Sequence, residues 1–164
     1  MTIIPEQITI RIAEATDAES IAQLFYETIH QVNRQHYSEE QLQAWAPAIQ
    51  PAEYWIARQN RLTTFVANHA GTLAGFAELD LQSEPARIDC FYGHKDYQRR
   101  GIGTRLMTTL KQFSLNSDID ELRAEVSLTA LPFFQRHHFE IIREQQVYRN
   151  GIQLTNFLMK CSLR

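Results

Sequence analysis

Cysteine occurs only twice, at Cys90 and Cys161, too few and too far apart for a disulfide framework or a cysteine metal site. Both fall in strand-like runs and are expected as buried thiols. No apolar run approaches the length of a membrane span, and Met1 to Gln7 lacks the basic-then-apolar pattern of a secretory leader, so a cytoplasmic location is expected. Neither sign of charge dominates. Sixteen Lys and Arg against nineteen Asp and Glu leave a formal charge of -3, with no global pull toward nucleic acid or an anionic membrane. The chain has no Gly-Lys-Ser or Gly-Lys-Thr triplet, which excludes a P-loop, and no repeat, low-complexity tract or linker. What remains is 164 residues at 44% hydrophobic content, enough for one core, so residues 1–164 are expected to form a single domain.

Ile8, Ile10 and Ile12 alternate with polar residues as a half-buried strand does. Thr16-Asp17-Ala18-Glu19 has capping-box spacing, and Ile21, Leu24, Phe25, Thr28 and Val32 continue at helical spacing to about Asn33. A second box opens at Ser38, and Pro51 starts a further helical stretch. Leu62 to His69 and Thr72 to Leu81 form a strand hairpin around Ala70-Gly71, and Arg87 to Gly93 is the next strand. Strict alternation along that strand would put Asp89, Phe91 and Gly93 on one face and Ile88, Cys90 and Tyr92 on the other. Ile102, Leu106, Leu110 and Phe113 make a helix stripe, Leu122 to Val126 a strand, and Thr129 caps a short helix through Phe133 and Phe134. Two last strands meet across Asn150-Gly151, a dipeptide suited to a type I′ turn. The fold class is α/β (α+β), a single mixed, largely antiparallel sheet flanked by helices.

Gln98-Arg99-Arg100-Gly101-Ile102-Gly103-Thr104 joins a strand to a helix. A helix start exposes unpaired N–H groups and partial positive charge, and glycine lets backbone approach a bulky anion. Gly101 and Gly103 would admit a pyrophosphate, Thr104 would add a hydroxyl, and Arg99 and Arg100 would supply charge at the rim. The third glycine of a dinucleotide fingerprint is replaced by Leu106, and no strand-helix-strand unit begins at the N-terminus, which counts against Rossmann binding.

The run from Phe91 to Gly103 resembles the acyl-CoA motif of the GNAT superfamily of N-acetyltransferases, whose hexad is Gln or Arg, two variable residues, Gly, any residue, then Gly or Ala. The likeness extends over nearly the whole chain, including Leu122 to Phe139. Gln35 to Ser38, Ala44 to Ala46 and Leu154 to Phe157 further resemble a bacterial subgroup of small GNAT proteins of mostly undefined substrate.

The resemblance implies acetyl-CoA as co-substrate, no metal, and transfer of its acetyl group to a primary amine in a ternary complex. It implies that the backbone of Phe91, Tyr92 and Gly93 pairs with the pantetheine arm, that Gln98 to Thr104 hold the pyrophosphate, and that Ser127 replaces an asparagine touching the pantetheine. An N–H of Phe91 to Gly93 would face the thioester oxygen. Asp89 and Glu78 are the candidates for the base that removes the amine proton. Phe134 occupies the place of the tyrosine that in the family often protonates the departing thiolate. That acid is missing, leaving water, another tyrosine such as Tyr148, or no group at all. Tyr26, His30, Tyr37 and Trp45, with His36, fall on the acceptor side of the family fold and are the candidates to enclose the amine. The expected partner is a small-molecule amine, with no nucleic acid and no membrane, and with room for a homodimer. The competing readings are a protein N-acetyltransferase and a non-catalytic acetyl-CoA-binding regulatory domain.

Overall fold

The computed structural model describes residues 7–164. Strand β1 spans Ile8–Ile12 and leads through a short 3-10 turn into helix α1, Ala18–Gln31. Helices α2 (Glu39–Trp45) and α3 (Ala52–Arg61) follow, then strands β2 (Thr63–His69), β3 (Thr72–Asp80) and β4 (Ala86–Gly93). Helix α4 (Ile102–Asn116), β5 (Glu121–Ser127), α5 (Leu131–Arg136), β6 (Glu140–Arg149) and β7 (Ile152–Ser162) complete the chain. No described helix is long and apolar enough to cross a membrane.

The seven strands form one sheet in the order β1-β2-β3-β4-β5-β7-β6. Every pairing is antiparallel except β4 with β5. Both tight hairpins carry the left-handed backbone that their sequences call for: Ala70 and Gly71 have φ of 49° and 84°, Asn150 and Gly151 of 49° and 80°. The stripe on α4 buries Ile102, Leu106 and Leu110 against β2, β3 and β5 on one face of the sheet. Each such aliphatic side chain contributes about 1.5–3 kcal/mol relative to exposure. On the opposite face, α1 and α3 bury Ile21, Leu24 and Trp55 against Val66 and Phe76. The cores on the two faces fix the sheet between helical layers.

Two caps fall elsewhere than the sequence spacing suggests. The first box is made by Glu14 and Asp17, not by Thr16 and Glu19, because a 3-10 turn at Ala15–Asp17 precedes α1. Asp17 accepts from the Glu14 backbone N–H at 2.7 Å and from both terminal nitrogens of Arg11 at 2.7 and 2.9 Å. In α5 the Ala130 N–H donates to Ser127 Oγ, while Thr129 turns instead to His36. Ser38 and Gln41 form the second box as expected.

The Asp17 arrangement predicts a pH effect. The hydrogen bond from Arg11 holds its carboxyl below the usual carboxylate range, against the opposing effect of burial and with help from the Glu14 N–H. A folded-state value below the unfolded one means stability that is present above the unfolded pKa of about 3.9 and lost as pH falls through the folded value. Asp17→Asn should cost about 1 kcal/mol at neutral pH, kept small by the exposure of Arg11. It should also flatten the loss of stability below about pH 4. Urea titrations between pH 6 and 3 check this, and identical acid slopes for the two proteins would contradict it.

Candidate active site

β4 and β5 run parallel only over Ala86, Arg87 and Ile88 against Leu122, Arg123 and Ala124. Beyond Ile88 the strands part, and β4 keeps a partner only in β3. The register with β3 steps from Glu78 opposite Cys90 to Leu79 opposite Ile88, so Asp89 is the extra residue of a β-bulge. This overturns the strict alternation expected for the strand. Ile88 and Phe91 both pack on the α4 side, whereas Cys90 and Tyr92 belong to the α1 and α3 side. The extra residue resets the facing of everything after it.

Asp89 thereby meets Glu78 beneath α3. Glu78 is fully buried and is gripped by Arg58, whose Nε lies 2.9 and 3.1 Å from its two oxygens and whose terminal nitrogen lies 2.7 Å from one of them. The same guanidinium nitrogen donates to Asp89. Asp89 also faces Arg87 at 3.2 Å, and Arg87 reaches Glu125 of β5 at 3.8 Å, so a chain of charges crosses the fork where the strands separate. Burial works against the Arg58 charge, but the hydrogen bonds and charge of Glu78, with Asp89 and Cys90, outweigh it and raise its pKa above the ordinary arginine range. Ligand-type atoms of Glu78, Asp89 and Cys90 lie within 4.8 Å of one another, and the guanidinium supplies their countercharge. Cys90 is only half-buried and lines the cleft wall, unlike Cys161, which lies in the core as expected.

The opening of the fork widens into a cleft of about 1090 Å³. One half lies at the start of α4. Gly101 caps the helix with φ of 85°, and the first backbone bond of the helix runs from the Arg105 N–H to the Gly101 carbonyl at 3.1 Å. The N–H groups of Ile102, Gly103 and Thr104 therefore have no acceptor within the helix. Gly103 sits tightly under α5: a Cβ there would lie 2.8 Å from the Phe133 ring. Gln98 folds back so that its Nε2 donates to the carbonyls of Gly93 and His94 at 2.8 and 3.3 Å, which shapes the loop. Thr28 of α1 donates to the same Gly93 carbonyl at 3.0 Å. Arg99, Thr104 and Ser127 line the cleft; Arg100 does not. Phe134 is buried, packed edge-on against Phe91 at 5.6 Å and Phe139 at 5.0 Å, and closes the floor of the fork.

The other half is roofed by α1, α2 and the β6–β7 hairpin. Tyr37 pins this roof: its hydroxyl donates to the Thr155 carbonyl at 2.7 Å and accepts from the Leu128 N–H at 2.9 Å. Gln41 Nε2 and Asn150 Nδ2 add bonds to the Gln153 and Ala44 carbonyls at 3.0 and 2.7 Å. Of the aromatic candidates, Tyr37, Trp45 and His36 line the cleft, whereas Tyr26 and His30 lie outside it. Tyr26 and His30 stack on each other at 4.3 Å, and His30 bonds the Ala46 carbonyl. The α1 face that does look inward presents Phe25, Thr28 and Val32. Sequence reasoning missed Arg58 and the wall of Trp55 and Tyr54, over both of which Arg58 is stacked. Tyr148 is 66% exposed and outside the cleft, so it is no substitute for the missing tyrosine acid.

A sheet forked between β4 and β5, with the unpaired amides of a helix start at its mouth, can be set beside known proteins. The family model for an acetyltransferase (GNAT) domain matches residues 33–162. The chain belongs to the GNAT superfamily. It is 29% identical over 153 residues to the N-acetyltransferase YafP of Escherichia coli K12, covering 93% of this chain and 95% of the relative. A GCN5-related N-acetyltransferase structure from Rhodopseudomonas palustris is 31% identical with a TM-score of 0.88, covering 99% of this chain and 98% of that one. At 21% and 16% identity, PaiA of Thermoplasma acidophilum, solved with coenzyme A, and YncA of Salmonella typhimurium, solved with acetyl-CoA, share the fold. Their TM-scores are 0.78 and 0.72, over 94% and 96% of this chain and 98% and 94% of theirs. The protein is an acetyl-CoA-dependent N-acetyltransferase. The residues present fit that co-substrate: the unpaired amides of the α4 start suit its pyrophosphate, and the free edge of β4 suits its pantetheine amides.

Proposed function

We propose that this GNAT protein acetylates the primary amine of a small molecule in the cytoplasm, by direct attack within a ternary complex. The observation that carries the reading is the roof of α2 and the β6–β7 hairpin over the acceptor half, locked by Tyr37, Gln41 and Asn150. A roofed, aromatic-walled space holds a compact amine better than a folded protein surface.

In the proposed reaction, the backbone of Phe91 to Gly93 aligns the pantetheine, Gln98 to Thr104 hold the pyrophosphate, and Ser127 contributes a hydroxyl. The amine nitrogen attacks the thioester carbon while an N–H of the β4 edge stabilises the developing oxyanion. The C–N bond forms, the C–S bond breaks, and coenzyme A leaves as a thiolate that takes its proton from water, since Phe134 has none to give. The proton of the attacking nitrogen passes to Asp89, which keeps contact with the cleft at 24% side-chain exposure. Glu78, buried and held by Arg58, acts as a positioning residue for Arg58 and through it for the bulge. A homodimer belongs to the same proposal and is read by sedimentation.

Thiol release from acetyl-CoA across a panel of small amines and N-terminal peptides tests the acceptor class. Small amines should exceed background and outpace peptides; faster transfer to peptides would overturn the small-molecule reading. For the base, Asp89→Asn should lower kcat/KM by about 100-fold and remove the acid limb of its pH profile. An acid limb that persists at its wild-type position would assign the proton to another group.

A further inference from the structure

The charges in the cleft are one-sided in a chain of net charge -3. Five arginines line it, Arg58, Arg87, Arg99, Arg136 and Arg149, against two carboxylates, Asp89 and Glu125. Both carboxylates are already met by Arg58 or Arg87. Arg99 at the cofactor loop and Arg136 on α5 stand toward the pyrophosphate half. Arg149 is the cation left in the acceptor half, and among the described residues no carboxylate pairs with it; its only hydrogen bond there runs to the neighbouring Tyr148 carbonyl at 3.2 Å.

Its position in the hairpin aims it at the acceptor. Arg149 shares a face of β6 with Val147, two residues away, and Val147 pairs with Leu154 of β7, next in line to Asn156 on the same face. Val147 and Leu154 pack with Tyr37 in the roof. Burial, and then Cys90, push the Tyr92 hydroxyl well above its usual range, and the Arg149 charge opposes that push across the cleft. At the deeper end of this wall Asn156 is 8% exposed, and its Oδ1 has no hydrogen-bond partner among the described residues. A buried carbonyl without a donor is costly unless a bound molecule supplies one.

From this wall we infer that the acceptor is an amine bearing a second, anionic group, a carboxylate or a phosphate: Arg149 binds the anion and Asn156 Oδ1 accepts from the amine end. The inference rests on the proposed small-amine acetylation and names the class of acceptor at that site. Four residue steps along β7 lead from Arg149's partner Ile152 to Asn156, about 13 Å. An extended arginine side chain shortens that span to the length of a small amino acid with several bonds between amine and anion. The same wall offers a polyamine no uncompensated carboxylate, so a second cation would meet Arg149 with like charge.

The test uses the whole protein with coenzyme A or acetyl-CoA present. Calorimetric binding and turnover are compared for ω-amino carboxylates, aminoalkyl phosphates, neutral alkylamines of equal length and diamines. Both anionic series should exceed the neutral and dicationic ones, and the better of the two identifies the anion. Arg149→Gln should lower the ratio of kcat/KM for anionic over neutral amine by about 10- to 100-fold, the range of one charge-assisted hydrogen bond. Arg149→Glu should turn the preference toward diamines, with thermal stability unchanged because the side chain is exposed. Equal ratios in wild type and Arg149→Gln, or a wild-type preference for neutral or dicationic amines, overturn the inference while leaving the transferase reading intact. Coenzyme A binding with no amine bound or acetylated overturns both.

Discussion

Arg58→Met is expected to lower the stability of the protein by about 3–5 kcal/mol, because it strands a buried carboxylate. Glu78 has no exposure to water, and Arg58 supplies its charged partner through three hydrogen bonds, with the Cys90 thiol as a weak further contact. Methionine preserves much of the packing against Trp55 and Tyr54 and removes the charge, so the loss reports the electrostatics. The pair Arg58→Met with Glu78→Gln should recover a large part of it, since the carboxylate left alone is gone. Chemical denaturation of the three variants reads this directly. A single-variant loss below about 1 kcal/mol would mean that the pair behaves as an exposed surface bridge does. Activity should fall further than stability alone explains, because the same guanidinium holds Asp89 in the bulge that sets the facing of Phe91 and Tyr92.

Gly103→Trp is expected to weaken acetyl-CoA binding by at least about 100-fold, as measured by calorimetry, by filling the space over the α4 start that the pyrophosphate needs. The milder Gly103→Ala separates space from bulk. Its Cβ would fall 2.8 Å from the Phe133 ring, so Phe133 must swing away from the helix start, and a loss of a few-fold is expected. Gly103 does not have the left-handed backbone of Gly101, so neither substitution strains the helix. Unchanged affinity in the tryptophan variant, with the thermal transition intact, would remove the helix start from the binding site.

The local elements of the candidate cofactor half were legible because their determinants are local. Gly101, the stripe beginning at Ile102, and the hairpin dipeptides each act within a few residues, and the structure places them where the spacing put them. Long-range pairing was not legible. Arg58 looks like one of two basic residues in the last turn of a helix, and nothing nearby announces partners 20 and 31 residues further on. The bulge at Asp89 is equally silent, since one added residue in a strand leaves composition and alternation almost unchanged. On α1, Tyr26 and His30 were expected toward the acceptor and Phe25 in the helix stripe, yet it is Phe25 that lines the cleft, and its neighbour Tyr26 points away from it. The face toward the cleft is chosen by Ile21 and Leu24 packing beneath, which sends Tyr26 and His30 out of the cleft.

One carbonyl oxygen gives the two halves of the cleft a common hinge pin. Gly93 accepts from Thr28 of the acceptor-side helix and from Gln98 of the cofactor loop, at 3.0 and 2.8 Å. A movement of the loop would therefore change the geometry in which α1 is held, and a movement of α1 would be felt by the loop. The loop before α4 and helix α1 are thus joined through a single shared atom.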